Sequence, residues 1–524
     1  MLESLLLRAP DAPSGGPRFS TRGAPGLTTE PIRPQIAGRK RLADLLDGLS
    51  EARLRGDPGS TVRDLTYRSG EVRSGSLFFC VPGARADGHE FAAEAQRRGA
   101  VAIVAEREVP VSCAQVLVPS VRRAMGPMSA AFFDHPADAL TVVGVTGTNG
   151  KTTTTYLLES IFRAAGILAG VVGTTGVRVA GRVVGFDRTT PEAPDLQRLF
   201  RHMIKEGVGA VAMEASSHGL DQHRVDGTRF ACSVFTNLSQ DHLDYHGTID
   251  AYFAAKARLF TEELSRQAAV NADSPKGAVL AQSARIPTVT FGVGTESKAE
   301  MRAVQVQVMP SGVSFVLGGL RIRSPLRGAF NVYNCLGAAV AGRLLGMDDR
   351  AIATGIAELA GVPGRLEPVE AGQPFAVLVD YAHTPDSLDN VLRTARGLTG
   401  GKVIAVFGCG GDRDRAKRHL MGEAATRLAD LTVITSDNPR SEDPEAIIAE
   451  ILPGAVGGGG PHVIEADRRA AIRLALAEAR PGDAVVIAGK GHETGQEFRD
   501  RTVPFDDRVV AEEELASLLG SSPG

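Results

Sequence analysis

The sequence predicts an α/β protein of three domains: a small N-terminal α/β domain, a central domain with a parallel sheet, and a C-terminal doubly wound, Rossmann-like domain. Three observations lead to this prediction. The chain has 524 residues, which suits about three domains of ~150 residues each. Short apolar runs rich in β-branched residues alternate with segments whose apolar residues recur at helical spacing. This alternation starts afresh near residue 363, where we place a domain boundary.

The composition excludes several classes of protein. Hydrophobic residues make up 43% and charged residues 23% of the chain, as in ordinary globular proteins. The net charge of −3 argues against a general nucleic-acid or membrane-surface binder. No apolar run approaches the ~18 residues of a membrane span. The five cysteines include no CxxC pair, which indicates reduced thiols in a cytoplasmic protein.

The N-terminal part divides into a tail and a small domain. Residues 1–36 are rich in proline and lack apolar periodicity, so we predict a disordered tail. Residues 37–138 are predicted to form the N-terminal domain, with strands at 76–81 and 101–105 and a helix at 89–98.

A glycine-rich loop organises the central domain, which we place at 139–362. An apolar strand pattern at 140–145 is followed by the loop and then by a helical pattern. In this setting backbone N–H groups and the helix N-terminus face an anion, while a lysine adds positive charge. The sequence therefore predicts a P-loop-type ATPase domain, although only part of the standard Walker form is present, namely Gly147, Gly150, Lys151 and Thr152. The alternative is an ordinary strand–helix turn with an exposed lysine.

Polar residues follow two further predicted strands of this domain. Glu214 ends the strand at 208–213, where a carboxylate could hold Mg²⁺ or simply cap a helix. The strand at 232–235 leads into the run NLSQDHLDYHG, whose spacing matches no standard zinc site and better suits an oxygen-rich Mg²⁺ site with one imidazole. Lys256 lies in a predicted helix and, taken alone, would be a surface lysine. Ligands of open α/β sheets bind beyond the carboxyl ends of strands, so we expect these groups to converge.

The C-terminal domain is placed at 363–524. We predict strands at 376–379, 403–407, 431–435 and 484–488. The glycine-rich stretch 454–460 is predicted to be a surface loop. A cleft is expected between this domain and the central one.

Ten motifs, in the same order along residues 60–510, resemble those of the Mur ligase family and most of all its diaminopimelate-adding members. They are TGTNGKTT, MEASSHGLDQHRV, NLSQDHLDYHG, YFAAKARLF, GAFNVYN, VPGRLEPV, DYAHTPDSL, GCGGDRDRAKR, SDNPRSEDP and AGKGHETGQ. One departure is Arg68-Ser69-Gly70, where the family often has Asp-Ser-Arg.

The resemblance implies a reaction and its participants. ATP, with Mg²⁺, would phosphorylate the D-glutamate side-chain carboxylate of UDP-N-acetylmuramoyl-L-alanyl-D-glutamate. An amino group of meso-2,6-diaminopimelate would then attack the acyl phosphate and give an amide in peptidoglycan biosynthesis. Activating a carboxylate in this way requires cations between two anions, which suits Lys151 and a metal ion. We expect a cytoplasmic monomer that uses neither nucleic acid nor membrane insertion.

The resemblance also implies roles for individual residues. The catalytic group would be Lys151, Glu214, His242 and Lys256, and the metal would be held by Thr152, Glu214, His242 and Lys256 in its carbamylated form. ATP would contact Gly147, Thr148, Asn149, Gly150, Lys151, Thr152, Thr153, Asn331, Arg365 and Asp380. The UDP-muramoyl dipeptide would contact Ser69, Ala84, Arg85, Ala86, Thr189, Thr190, Ser216, Gln222 and Arg224. Diaminopimelate would contact Arg413, Asp437, Asn438, Pro439, Arg440, Gly489 and Glu493.

Two alternatives stay open at this point. The first is a relative that adds lysine, or a folate or cyanophycin ligase; Arg440 argues against lysine because a guanidinium suits the second carboxylate of diaminopimelate. The second is a nucleotide-dependent binding protein that has lost catalysis. The loss of Lys151, Glu214, His242 or Lys256 would mark such a protein, and all four are present.

Overall fold

The structure is a computed structural model that describes residues 38–83, 86–184 and 188–520. The predicted tail at 1–36 and two predicted binding residues, Ala84 and Arg85, lie outside the described residues. Within the described part, the chain forms three main sheets of five, eleven and six strands, each packed against helices. This arrangement confirms the predicted α/β class.

The first sheet has five strands in the order β2-β7-β6-β5-β4, and it is parallel except for β2 at its edge. A two-stranded ribbon, β1-β3, precedes it. The strands of this ribbon and of the five-stranded sheet are, in chain order, β1 (Lys40–Arg41), β2 (Arg53–Arg55), β3 (Thr61–Val62), β4 (Asp64–Thr66), β5 (Ser76–Phe79), β6 (Ala100–Ala105) and β7 (Ala114–Leu117). The helices of this region are α1 (Ala92–Arg97) and α2 (Val121–Phe132), with 3₁₀ turns at Ala43–Leu45, Ser69–Glu71, Gly88–Phe91 and Pro136–Ala139.

The central sheet has eleven strands in the order β11-β10-β9-β12-β8-β13-β14-β15-β16-β17-β18, and its seven inner strands are parallel. The strands are β8 (Thr141–Thr146), β9 (Ala169–Gly173), β10 (Gly176–Val179), β11 (Arg182–Val184), β12 (Ala210–Glu214), β13 (Cys232–Phe235), β14 (Ala268–Asn271), β15 (Thr288–Val293), β16 (Met301–Met309), β17 (Gly312–Leu317) and β18 (Leu320–Ser324). The helices are α3 (Lys151–Ala164), α4 (Ala193–Lys205), α5 (Ser217–Asp221), α6 (Leu243–His246), α7 (Ile249–Ala257), α8 (Pro275–Ser283), α9 (Phe330–Leu344) and α10 (Asp349–Glu358), with a 3₁₀ turn at Arg258–Phe260.

The last sheet has six strands in the order β19-β20-β24-β21-β22-β23, parallel from β20 onwards. A separate hairpin, β25-β26, follows it. The strands are β19 (Glu367–Pro368), β20 (Ala376–Asp380), β21 (Val403–Phe407), β22 (Leu431–Ile434), β23 (His462–Ile464), β24 (Ala484–Ala488), β25 (Gly495–Glu497) and β26 (Thr502–Pro504). The helices are α11 (Pro385–Leu398), α12 (Lys417–Leu428), α13 (Pro444–Gly458), α14 (Arg468–Glu478) and α15 (Asp507–Gly520).

The prediction of a surface loop at 454–460 is wrong, because α13 continues to Gly458. Its glycines are needed for close packing against α12. A Cβ atom on Gly454 would lie 1.7 Å from the carbonyl oxygen of His419, and one on Gly458 would lie 2.2 Å from Thr426 Oγ1. At Gly454 and Gly458 glycine therefore serves contact between two helices, whereas Gly459, with φ +78°, ends α13.

Three neighbouring central strands place polar groups at one edge of the sheet. Strand β8 lies between β12 and β13, with Val145 opposite Glu214 and Thr146 opposite Phe235. The loop after β8, the end of β12 and the segment after β13 therefore meet, as expected for the carboxyl ends of parallel strands.

Apolar side chains pack on both faces of the two larger sheets. One central cluster lies between the sheet and helices α3, α9 and α10, and the other lies under α4 and α7. The last sheet is covered by two clusters in the same way. No helix in ranges 38–83, 86–184 and 188–520 is long and apolar enough to cross a membrane.

Candidate active site

The loop after β8 is shaped by two glycines with left-handed backbone. Gly147 has φ +149° and Gly150 has φ +87°. A Cβ atom would lie 1.9 Å from Thr236 Oγ1 at Gly147 and 2.3 Å from Asn334 Oδ1 at Gly150, so side chains are excluded at both positions. Helix α3 starts directly after Gly150 without a side-chain cap, which leaves its first N–H groups available to an anion.

Two lysines converge on one carbonyl oxygen of this loop. Lys151 Nζ donates to Gly147 O at 3.0 Å and to Thr148 O at 2.8 Å. Lys256, which α7 carries beneath the loop, donates to the same Gly147 O at 2.8 Å. Burial lowers the pKa of both amines, and the nearby Lys151 charge lowers the pKa of Lys256 further. Lys256 is 1% exposed, and this burial disfavours the charged form of its amine.

Glu214 is fully engaged by two threonines. Its Oε1 accepts hydrogen bonds from Thr152 Oγ1 and from Thr174 N, both at 2.9 Å. Its Oε2 accepts a hydrogen bond from Thr174 Oγ1 at 3.0 Å. The carboxylate is buried, and it thus joins the start of α3 to the turn after β9.

His242 is kept neutral beside this carboxylate site. Burial is the main cause that lowers the pKa of its imidazole, to about 3, and the neighbouring Asp241 only partly opposes this effect. The residue has φ +55°, which turns the chain sharply before α6. A neutral ring nitrogen can bind a metal ion near neutral pH, whereas a protonated ring cannot.

The C-terminal domain closes over the loop through direct hydrogen bonds. Arg365 Nη2 donates to Thr152 Oγ1 at 3.0 Å, and its guanidinium lies 4.8 Å from the Tyr381 ring centroid. His492 Nε2 donates to the carbonyl oxygen of Thr174 at 3.1 Å. Arg365 therefore reaches the threonine that holds Glu214, and its buried Nε has no hydrogen-bond partner in the described part of the chain.

Asp241 is a second bridge between the two domains. Its carboxylate lies 3.5 Å from Lys417 Nζ and 3.7 Å from His383 Nε2, both of the C-terminal domain. Burial by itself would raise the pKa of Asp241. The nearby His383 imidazole and the Lys417 charge outweigh burial and hold this pKa well below its usual value. The aspartate is therefore ionised beside His242.

The loops after β22 and β24 form the other end of the site. Arg440 Nε donates to Glu497 Oε2 at 2.8 Å, and Nη1 donates to Gly411 O at 2.8 Å. Asn438 Nδ2 donates to Glu493 Oε2 at 2.8 Å. The fully buried Lys490 donates to Asn438 Oδ1 at 2.9 Å, which sets the orientation of that amide.

These groups surround a cavity of about 430 Å³ between the central and C-terminal domains. Of the residues predicted for the site, the cavity is lined by Thr148, Asn149, Gly150, Lys151, Thr152, Thr189, Glu214, Ser216, His242, Lys256, Arg365, Arg413, Asp437, Asn438, Arg440, Gly489 and Glu493. The predicted residues that do not line it are Ser69, Ala86, Gly147, Thr153, Thr190, Gln222, Arg224, Asn331, Asp380 and Pro439.

Several of these outlying residues support the lining. Thr190 Oγ1 accepts from Ser216 N at 3.0 Å, and Arg224 Nη2 donates to Gln222 Oε1 at 2.6 Å. Asp380 accepts from Leu366 N at 2.7 Å and so fixes the backbone beside Arg365.

The sequence reasoning missed several lining residues, among them Thr174, Asp241, Tyr381, His383, Asp414 and Lys417. Asp241 stands next to His242 in a motif that was recognised, and Lys417 lies in GCGGDRDRAKR, so a signal existed for both. Thr174 follows β9 in a stretch without any motif. Its role depends on the strand order, which places β9 beside β12.

The donor set suits a hard cation that keeps other oxygen ligands. Glu214 supplies a carboxylate, Thr152 a hydroxyl and His242 a neutral imidazole. Among residues 38–83, 86–184 and 188–520, no group of three or more His, Cys, Asp or Glu side chains could hold a metal ion alone. A carboxylate and a hydroxyl are ligands that Mg²⁺ can take together with phosphate oxygens and water.

Three family models match the chain. They describe the Mur ligase family catalytic domain, matched by residues 61–132, the Mur ligase middle domain, matched by residues 145–342, and the Mur ligase glutamate ligase domain, matched by residues 364–491.

Curated relatives and solved structures agree with these matches. The UDP-N-acetylmuramoyl-L-alanyl-D-glutamate–2,6-diaminopimelate ligase of Geobacillus thermodenitrificans is 47% identical over 467 residues, which cover 87% of this chain and 95% of that protein. The ligase of the same name from Streptomyces coelicolor is 45% identical over 94% of this chain and 99% of that protein. A solved structure of a ligase of this name has a TM-score of 0.65 at 33% identity and covers 92% of this chain and 99% of that one. Folylpolyglutamate synthase of Mycobacterium tuberculosis, at 19% identity, TM-score 0.57 and coverage of 77% and 96%, shares the fold.

The protein is an ATP-dependent amide ligase by class. Its middle domain carries the glycine-rich loop after β8, and a separate C-terminal domain closes over that loop. The chain belongs to the Mur ligase family. The predicted resemblance, fold class and enzyme class are thereby confirmed.

Proposed function

We propose that this protein joins 2,6-diaminopimelate to UDP-N-acetylmuramoyl-L-alanyl-D-glutamate in peptidoglycan synthesis, as its relatives' names state for them. The observation that carries the proposal is the cavity itself. It has the glycine loop and Lys151 at one end and Arg440 at the other, so a phosphorylated carboxylate and a second amino acid can meet inside it.

The loop end of the cavity would bind ATP. The uncapped start of α3 and the Lys151 ammonium supply positive potential for the β- and γ-phosphates. Arg365 brings a further cation from the C-terminal domain. Thr148, Asn149, Thr153, Asn331 and Asp380 are assigned to the same nucleotide, the last two beside its adenosine part.

Glu214, His242 and Thr152 would hold Mg²⁺. A bound Mg²⁺ neutralises phosphate charge and polarises the phosphoryl oxygens. Thr152 and Glu214 already lie within hydrogen-bond distance of each other, and a metal ion would take the place of the hydrogen bond between them.

Lys256 suits carbamylation. Its buried, neutral amine can add to CO₂, forming an N–C bond and releasing one proton, and the product is a carboxylate. A charged Lys256 would be repelled by Lys151 at the shared Gly147 carbonyl, and this conversion instead places there an anion able to hold a second Mg²⁺.

The acceptor substrate would lie along Thr189, Thr190, Ser216, Gln222 and Arg224, and its uridine end would reach Ser69 and the loop at 84–86. Thr190 and Ser216 are hydrogen-bonded to each other beside Glu214, so the D-glutamate carboxylate would arrive next to the γ-phosphate. The protein would act in the cytoplasm as a monomer.

The incoming amino acid would lie among Arg413, Asp437, Asn438, Pro439, Arg440, Gly489 and Glu493. The meso isomer is the proposed substrate, with its distant carboxylate on Arg440 and an ammonium group near Glu493. Attack on the acyl phosphate forms the amide and releases inorganic phosphate.

Phosphate release tests this proposal. Purified protein with ATP, Mg²⁺ and UDP-N-acetylmuramoyl-L-alanyl-D-glutamate should release phosphate when meso-diaminopimelate is added. Lysine should support less than about a hundredth of the rate, because Arg440 would lack its carboxylate partner. Activity with lysine but none with meso-diaminopimelate would identify a lysine-adding ligase instead.

The variant Arg440→Ala should raise the KM for diaminopimelate and leave the KM for ATP unchanged. A change in the ATP KM alone would contradict the role given to Arg440.

A further inference from the structure

Glu497 forms an ion pair with Arg440 that is fixed at two points. Arg440 Nε donates to Glu497 Oε2 at 2.8 Å, and the backbone N–H of Arg440 donates to the carbonyl oxygen of Glu497 at 2.9 Å. The backbone N–H of Glu497 in turn donates to Asn438 Oδ1 at 3.0 Å. Hairpin β25-β26 thus presents one carboxylate at a set position beside the guanidinium.

The pair remains open to a ligand. The Glu497 side chain is 51% exposed and the Arg440 side chain 22%, and both line the cavity of about 430 Å³. Within the described residues, Arg440 Nη2 has no hydrogen-bond partner. A second cavity of about 450 Å³ is also lined by Glu493 and Glu497, so these two carboxylates border both spaces.

Glu497 is the freer of the two carboxylates. Glu493 Oε2 already accepts from Asn438 Nδ2 at 2.8 Å and lies 3.3 Å from Lys490 Nζ, which is fully buried. The charge of Glu493 is therefore matched by a cation that no substrate can displace, whereas the partner of Glu497 is the cation that a substrate carboxylate would occupy.

A cation and an anion side by side match the charge pattern of an amino-acid head group, which carries a carboxylate and an ammonium on one carbon. We infer that Glu497 is a specificity-determining residue that accepts the ammonium at the far end of diaminopimelate while Arg440 holds the carboxylate on the same carbon. This inference rests on the proposed function. It also implies selection between stereoisomers, because inverting the far carbon moves the ammonium away from Glu497 when the carboxylate stays on Arg440.

Steady-state kinetics of Glu497→Gln test the inference. The KM for meso-diaminopimelate should rise about ten- to a hundredfold, since a charge-assisted hydrogen bond is lost, while kcat and the KM for ATP stay within about twofold. The preference for the meso over the LL isomer should fall by a similar factor. Glu513→Gln is the matched control, because Glu513 is 52% exposed and also pairs with an arginine, but it lies on α15 away from both cavities. This control should leave all constants unchanged.

Three results would overturn the inference. An unchanged KM for meso-diaminopimelate would mean that Glu497 makes no contact with substrate. A lower KM would mean that Glu497 competes with the substrate carboxylate for Arg440. A fall in kcat together with a rise in every KM would mean that Glu497 only supports the fold. Failure of the wild-type protein itself to use meso-diaminopimelate would instead overturn the proposed function, and this inference with it.

Discussion

At the scale of single residues, the carbonyl oxygen of Gly147 explains much of the site. It accepts hydrogen bonds from both Lys151 and Lys256, and both amines are buried. Two full positive charges at such a place would repel strongly in a medium of low polarity. Lys151 has phosphate as its natural counter-ion. Burial and the Lys151 charge outweigh the opposing effect of Asp241 on the pKa of Lys256, so its nitrogen is better suited to act as a neutral nucleophile toward CO₂.

We expect Lys256→Ala to lose turnover far more than nucleotide binding. The phosphate loop would keep its glycines and Lys151, so the Kd for ATP should change less than about fivefold while kcat falls at least about a hundredfold. Adding formate or acetate should restore part of the activity if a carboxylate is what the site lacks. Lys276→Ala is the control, because Lys276 pairs with Asp250 at the surface. A large loss of ATP binding in Lys256→Ala would contradict the assignment.

Buried neutral histidines make stability depend on pH. Burial lowers the pKa of His218 to about 4, of His492 to about 4 and of His242 to about 3, against 6.5 for an ordinary histidine. Between about pH 4 and 6.5 the unfolded chain binds these protons and the folded chain does not, so the free energy of unfolding should fall as the pH drops through this window.

Urea unfolding of His492→Gln measures this contribution. The variant should lose less stability than the wild type between pH 6.5 and 4.5, because one histidine that must stay neutral has been removed. His419→Gln, at an exposed position, should keep the wild-type pH dependence. Identical pH profiles for His492→Gln and the wild type would contradict the expected sign.

At the scale of elements, one buried ion pair connects strands β22 and β24. The loops after these strands carry the residues proposed to bind the incoming amino acid. Arg468 at the start of α14 bonds Asp507 at the start of α15, and both side chains are fully buried. The same guanidinium donates to Ala488 O at 3.0 Å and to Ser436 O at 3.3 Å, at the ends of β24 and β22. Arg468, the first residue of α14, therefore fixes the points at which the loops bearing Asn438, Arg440 and Glu493 begin.

We expect Arg468→Met to lower the free energy of unfolding by about 3–5 kcal/mol, because Asp507 would be left as a buried, uncompensated charge. Arg469→Met should cost less than about 1 kcal/mol, since the neighbouring Arg469 is itself exposed and its buried partner Glu514 keeps a second arginine, Arg473. Chemical denaturation of both variants gives the comparison. Equal losses in the two variants would show that burial does not set the strength of the Arg468 contact.

Local patterns in the sequence were sufficient for many elements and failed where packing decides. Strands β13, β21 and β24 have the predicted bounds, and α7 carries Lys256 as expected. The glycines at 454–460 misled the prediction, because a glycine that permits helix contact and a glycine that forms a turn look alike in sequence. In the same way, the predicted helix at 89–98 begins as a 3₁₀ turn, Gly88–Phe91.

At the scale of the whole molecule, the site exists only where two domains meet. Asp241 and Lys417 are 176 positions apart by their residue numbers, and their side chains lie 3.5 Å apart. Neither the spacing of residues nor local charge could predict such a pair. The motifs identified the separate parts of the candidate site, whereas the contacts that join these parts depend on tertiary structure.

A double-mutant cycle on this pair tests its role in closure. Asp241→Asn and Lys417→Met should each lower kcat/KM, because each leaves a buried partner, 5% exposed or less, without its counter-charge. The double variant should lose no more than the worse single variant, which corresponds to a coupling of about 1–3 kcal/mol. The surface pair Asp250 and Lys276 should give additive, near-zero effects. Additive losses at Asp241 and Lys417 would show that the two charges act separately.

The contacts that close the C-terminal domain over the glycine loop include several polar ones. They include Arg365 with Thr152, Asn149 with Asp386, and Asp241 with Lys417. An apolar contact adds to them where Phe330 of α9 packs against the C-terminal cluster. Dissolved ions screen exposed charges, with a screening length of about 8 Å near 0.15 M ionic strength, but they act far less on a buried pair such as Asp241 and Lys417. Added potassium chloride should therefore change the kcat of this protein little at concentrations that do not unfold it.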